Sequence, residues 1–272
     1  MHIYWEGRAH GAPALPISID GLRERARAVL PPAAFAYIGG AGNEETVAAN
    51  RSDFSRWRIM PRMLTDISTR SQGATIHGQS AAAPFIIAPI GLHELYCTEG
   101  ELAAARAAAK RNIPFTLSCQ SSRTIEAVAQ AMGPAPRFFQ LYWSSDRELT
   151  RSFLRRAEAA GYTAIVVTLD TRLLGWRPQD LDLGHNPFLL GKGLANYTSD
   201  PVFRAALARP PEEDLTAAIR HFLSVFNDLK ITWDDLAWLR QATKLPLTLK
   251  GILHPDDARR AVASGVEGLI VS

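Results

Sequence analysis

The sequence predicts an α/β fold on a parallel sheet of about six β/α units, from three observations. Short apolar runs recur along the chain, and each is followed by a stretch with helical spacing. The runs are continuous rather than alternating, which suits strands buried on both faces. Helix start and stop signals fall between them.

In chain order, the first run is 84–88 (PFIIA), read as a strand. Glu99 and Glu101 precede a helix over 102–109, and Lys110 and Arg111 close it, the order that the helix dipole favours. Strands at 114–118 (PFTLS) and 138–141 (FFQL) follow. Asp146 is placed to cap a helix over 147–160, and Gly161 to end it. After the strand 164–168 (AIVVT) comes a long excursion, Gly/Pro/Asn-rich over 175–201 and helical over 212–229 and 232–242. Long excursions after a strand are usually functional in this architecture. The strand 245–250 (LPLTLK) leads to a helix opened by Pro255-Asp256-Asp257 that runs through Ala263, and 268–271 (GLIV) is the last run.

Strand–helix alternation predicts right-handed β/α units. An open six-stranded sheet and an incomplete (β/α)8 TIM barrel both satisfy that rhythm. An open sheet would be expected to cover its last strand, whereas 268–271 runs directly to Ser272. The expected reading is therefore a barrel cut short, with about six of eight units. The expected division is an N-terminal arm and helix over 1–30, then the partial barrel over 31–272, with the excursion at about 171–244.

Composition removes several classes. The chain has 272 residues, 47% hydrophobic and 21% charged, enough for one large domain or two small ones. Thirty Lys and Arg against 27 Asp and Glu leave +3, with no basic run to suggest nucleic acid. Cys97 and Cys119 have no paired spacing, which excludes a disulfide scaffold or zinc knuckle and fits a reducing, cytoplasmic compartment. No apolar stretch approaches the ~18 residues of a membrane span, and no metal site is expected.

Barrel enzymes place their chemistry at strand C-terminal ends. Those positions here are 88–91 (APIG), Ser118, 140–142 (QLY), 168–171 (TLDT), Lys250 and Ser272. Singly each has an ordinary explanation: a snorkelling lysine, a strand-end polar group tied to backbone, a packed tyrosine, a turn-forming aspartate.

Together they resemble the FMN-dependent 2-hydroxy acid oxidoreductases, the family of glycolate oxidase, mandelate dehydrogenase, lactate oxidase and lactate 2-monooxygenase. The similar text runs from about Leu30 to Ser272 and includes PPAAFAYIGGAGNEET, MPRML, APFIIAPIG, FFQLYW, RRAEAAGYTAIVVTLDT and LKGILHPDDARRAV. The stretches LGWRPQDL and NYTSDPVF look closest to lactate 2-monooxygenase. The resemblance implies a TIM barrel with FMN across its mouth. It implies that Lys250 sits at the flavin N1/O2 edge, that Ser118, Gln140 and Thr168 bond the pyrimidine half, and that Ala88, Pro89 and Ile90 approach the ring. Ser272 joins this cofactor set.

By the same resemblance Arg177 grips the substrate carboxylate, a group its planar fork suits, while Tyr37 and Tyr142 reach the carboxylate and hydroxyl. Tyr142 and Asp170 are the implied catalytic residues, Asp170 by orienting a histidine base. In the family that histidine follows the serine matched by Ser272, within Ser-Asn-His-Gly-Gly-Arg. The expectation is therefore that this chain lacks the base, a second substrate arginine, the last two strands and the phosphate-binding segments. His254 and His93 match no catalytic position. The implied activity is FMN-dependent oxidation of a small L-2-hydroxy acid, lactate 2-monooxygenase-like. The alternative is an inactive fragment, or half of a split barrel that needs a partner chain. No nucleic-acid or membrane partner is expected, and complete family members are expected to be homo-oligomers.

Overall fold

The computed structural model describes residues 5, 11, 13–40 and 42–272. The chain divides into two compact units, one holding the residues up to Arg58 together with Trp176–His185, the other Ile59–Gly175 and Asn186–Ser272.

The first unit is helical. Its helices are α1 (Ile19–Val29), α2 (Pro32–Gly39) and α3 (Glu45–Ser52), to which the later chain adds a short helix at Pro178–Asp182. Ser18 caps α1 by accepting the Gly21 N–H, and Pro32 starts α2 with φ already set for a helix. Arg51 forks onto both oxygens of Asp20 at 3.0 and 3.1 Å, tying α3 to α1.

The second unit opens with a hairpin, β1 (Ala74–Ile76) and β2 (Gln79–Ala81), turned by His77 and Gly78. Both turn residues have positive φ, 48° and 73°, as a two-residue hairpin turn whose twist matches its strands requires. Then come α4 (Glu101–Lys110), β3 (Phe115–Ser118), α5 (Ile125–Met132), β4 (Arg137–Tyr142), α6 (Arg147–Ala159) and β5 (Ala164–Thr168). Counting Pro178–Asp182 as α7, the excursion continues with α8 (Ala195–Thr198), α9 (Pro201–Ala205), α10 (Leu215–Val225) and α11 (Asp235–Ala242). The chain closes with β6 (Leu247–Lys250), α12 (Pro255–Ala263) and β7 (Gly268–Ile270).

Strands β3 to β7 form one parallel sheet in sequential order. A doubly wound open sheet reverses its strand order at a switch point, and none occurs here. The sheet is the wall of an incomplete (β/α) barrel. Alternation gives it two faces. Leu117, Phe139, Leu141, Ile165, Val167, Leu247 and Leu249 point outward and are buried, with Phe139 edge-on to Phe153 of α6. The inner face starts apolar, where Phe138, Ala164 and Val166 pack with Ile76 of the hairpin and Ile270. His77 completes that plug, its Nε2 2.8 Å from Thr248 Oγ1 and its ring edge-on to Phe138.

The expected first strand, 84–88, needs correction. It makes one isolated parallel bridge, Ile87 with Phe115, through Ile87 N–H to Pro114 O and Thr116 N–H to Ile87 O. It has β3 on one side only, and Pro84 and Pro89 at its ends donate no hydrogen bonds. The helices fall close to expectation. Asp146 caps α6 by accepting from Glu148 and Leu149, at 2.9 and 3.1 Å. The helical stretch expected over 212–229 is shorter, α10, because Asp214 caps it through the Ala217 N–H.

Candidate functional site

The ladder register brings the candidate residues to one face. Ser118 pairs with Gln140, and two residues on Tyr142 pairs with Thr168, which pairs with Lys250. Five side chains from four strands thus share the inner face at the strands' C-terminal ends. Residues 88–90 follow the bridge at Ile87, and the next residue, Gly91, comes so close to this point that a Cβ there would lie 3.0 Å from Gln120 O.

Ser118 Oγ donates to Gln140 Oε1 at 2.9 Å and accepts the Gln120 N–H at 3.2 Å. Gln140 is buried, and its Nε2 has no partner. An unpartnered buried donor costs about 1–3 kcal/mol, so it marks a place where an acceptor belongs. Gln120 Nε2 is a second such donor. Beside them, Lys250 Nζ donates to Ser272 Oγ at 2.7 Å and lies 3.5 Å from Asp170 Oδ2, which also accepts from Ser272 Oγ at 3.4 Å. Gly251 makes this approach possible. At φ 100° it turns the chain where a Cβ would lie 2.7 Å from Asp170 Cβ. Tyr142 packs its ring against Phe226 at 5.3 Å.

Tyr37 and Arg177 fall in the other unit, where they meet each other. The Arg177 guanidinium lies 4.6 Å from the Tyr37 ring centroid and also bonds the Tyr37 carbonyl and the Asp180 carboxylate. Burial pushes the Tyr37 hydroxyl up to about 12, against the charge of Arg177. His254 caps α12 through Nδ1, and His93 packs against Tyr96 and Phe115; neither bonds to Asp170 or Lys250.

A family model for FMN-dependent dehydrogenases matches residues 26–272. The chain belongs to that family. It is 41% identical over 275 residues to an FMN-dependent alpha-hydroxy acid dehydrogenase of Penicillium citrinum, covering 99% of this chain and 68% of that one. It is 40% identical over 258 residues to an L-lactate oxidase of Lysinibacillus sphaericus, covering 94% and 66%. A crystal structure of mandelate oxidase superposes with a TM-score of 0.80 at 35% identity, over 94% of this chain and 68% of that one. The chain thus spans about two thirds of the length of these relatives.

The donors fit the group that the family carries. A flavin's pyrimidine ring presents two carbonyls for donors such as Gln140 Nε2, and its N1/O2 edge gains charge on reduction, which suits a cation such as Lys250. Among the described residues no helix is long and apolar enough to cross a membrane.

Two buried residues beside the cluster escaped the sequence reading, Gln120 and Asn196, whose Nδ2 bonds the Ser118 carbonyl. Gln120 carried a usable signal, since it follows Ser118 by two residues and continues the inward alternation. Asn196, buried far along the excursion, carried none.

Proposed function

We propose that the inner-face cluster binds FMN and that the completed site oxidises a small L-2-hydroxy acid. The observation that carries this reading is the unpartnered Gln140 Nε2, in register with Ser118, Tyr142, Thr168 and Lys250 at the strand ends. FMN, when bound, supplies the acceptor for the electrons leaving the substrate's α-carbon. In this reading Ser118, Gln140 and Thr168 hold the pyrimidine edge, Ala88, Pro89 and Ile90 line the ring by their backbone, and Lys250 fixes a positive charge at N1/O2. Ser272 steadies Lys250. Arg177 and Tyr37 hold the carboxylate, and Tyr142 hydrogen-bonds the reacting hydroxyl. Asp170 orients and charges the histidine that the family resemblance implies as proton acceptor.

The finer activity we propose is lactate 2-monooxygenase-like, on the LGWRPQDL and NYTSDPVF stretches. Retention of the keto acid would give acetate, carbon dioxide and water from lactate and oxygen; release would give pyruvate and hydrogen peroxide. A cytoplasmic location is supported by two free cysteines, and homo-oligomerisation by family resemblance.

Titration with FMN and riboflavin, followed by quenching of flavin fluorescence, tests the reading. Saturable binding weakened by Lys250→Met and Gln140→Leu is expected. Binding indifferent to both substitutions would overturn it.

A second reading is favoured by the sheet edges: this chain is an inactive fragment, or half of a split barrel that needs a partner chain. Among the described residues β7 is paired only with β6, and Phe85, Ile86 and Ile87 beside β3 are exposed.

A further inference from the structure

The NYTSDPVF stretch lies between β5 and β6, yet its polar contacts go elsewhere. Asn196 is fully buried. Its Oδ1 accepts the Ile125 N–H at 2.8 Å, at the start of α5, and its Nδ2 donates to Cys119 O at 3.2 Å and Ser118 O at 3.4 Å. All three bonds go to the end of β3 and the turn beyond it. The backbone adds Ala195 N–H to Ser121 O at 3.1 Å. The stretch is also anchored by Asp200, which accepts from Ser152 Oγ at 2.8 Å and Arg156 at 3.1 Å while capping α9, and Arg156 donates as well to the Asn196 carbonyl at 2.8 Å.

Buried carbonyls at a strand end need partners once the ladder stops. Asn196 supplies one donor group for two of them and, together with the bond from Cys119 N–H to Gln140 O at 3.0 Å, holds the backbone on both sides of Cys119. Holding that backbone in place holds the Ser118 Cα from which the hydroxyl reaches Gln140 Oε1. We propose that Asn196 is a positioning residue that sets the Ser118–Gln140 pair from the excursion, so that Gln140 Nε2 faces the mouth ready for a flavin carbonyl. The inference rests on the flavin reading of the mouth. It assigns NYTSDPVF a role in holding the cofactor side of the barrel rather than the substrate side.

The test compares Asn196→Ala with Ser152→Ala, which loosens the same stretch without touching β3. The first readout needs no flavin: the side-chain amide resonance of Gln140 in 15N-labelled protein. Asn196→Ala is expected to shift or broaden it, and Ser152→Ala to leave it in place; an unmoved resonance in Asn196→Ala overturns the proposal. The second readout is riboflavin binding, a probe of the ring pocket that carries no phosphate. Asn196→Ala is expected to weaken it about tenfold, and Ser152→Ala to stay within about twofold of wild type. Equal losses in the two variants would make Asn196 merely structural and overturn the proposal. Wild-type protein that fails to bind riboflavin would remove the flavin reading, while the Gln140 resonance would still decide whether Asn196 sets that amide. If Asn196→Ala does not fold, Asn196→Asp, which keeps the acceptor for the Ile125 N–H and loses the donor, is read in the same way.

Discussion

The hydroxyl of Ser118 donates to Oε1 of Gln140 at 2.9 Å, and in this arrangement the Gln140 amide turns its oxygen towards β3. Its oxygen is committed to the neighbouring strand, which leaves the nitrogen for the mouth. On the proposed flavin reading, a serine on β3 acts on the ligand less by its own contact than through its neighbour.

Gln140→Leu removes the unpartnered donor while roughly keeping the volume. Flavin affinity should fall about tenfold, the value of one net hydrogen bond. The melting temperature should stay within a few degrees of wild type, about 2–4 °C, because losing the unsatisfied amide offsets the acceptor lost to the Ser118 hydroxyl. Parallel titration and thermal melts check this; a large loss of stability without loss of affinity would contradict it.

Lys250→Met should make the two-electron potential of bound flavin more negative by about 60 mV, roughly 2.8 kcal/mol on that couple. The fixed charge at the ring edge stabilises the reduced form more than the oxidised one. Dye-coupled reduction of the wild type and the variant measures the difference. An unchanged potential would place Lys250 away from the ring.

Among the described residues Asp170 bonds Ser272, Thr171 and Lys250, and no histidine reaches it. A general base typically contributes about 10²–10⁴-fold, and Asp170 engaged with a lysine is a poor substitute. The 272-residue chain mixed anaerobically with excess FMN and L-lactate should leave the flavin colour unchanged. Bleaching that Arg177→Met abolishes would show that the chain works alone.

Burial holds the His77 imidazole below the usual histidine range, partly opposed by the charge of Glu267. The unfolded chain takes up its proton first. The stability contribution is therefore complete above about pH 6.5 and is lost as pH falls towards the folded value. His77→Gln can keep a hydrogen bond to Thr248 without titrating. Between about pH 7.5 and 5.5 its melting temperature should fall roughly 2 °C less than that of wild type. Burial also lowers His93, but that effect is common to both proteins and cancels in the comparison.

Much of the barrel was legible because its signals are local. Asp146 and the Pro255-Asp256-Asp257 opening mark α6 and α12 by chemistry confined to one helical turn. The hairpin was missed because its strands are three residues long and its turn is His77-Gly78 rather than Asn-Gly. The site residues were found by resemblance, and their shared face follows from period-two alternation. Two features could not be read in advance: the Arg177–Asp180 pairing, which depends on a short helix after Pro178, and the Asn196 contacts, 71 to 78 residues away in sequence.

The plug at the N-terminal ends of the strands also bears on the order of events during synthesis. His77 leaves the ribosome 171 residues before its partner Thr248, and Ile76 waits still longer for Ile270. Until then the hairpin has no finished floor to sit on, and loop-closure entropy opposes so distant a contact. The nascent chain must carry an apolar stopper whose socket does not yet exist, so sealing that end of the barrel falls among the last steps of folding and leaves the longest window for capture by a chaperone or by another copy.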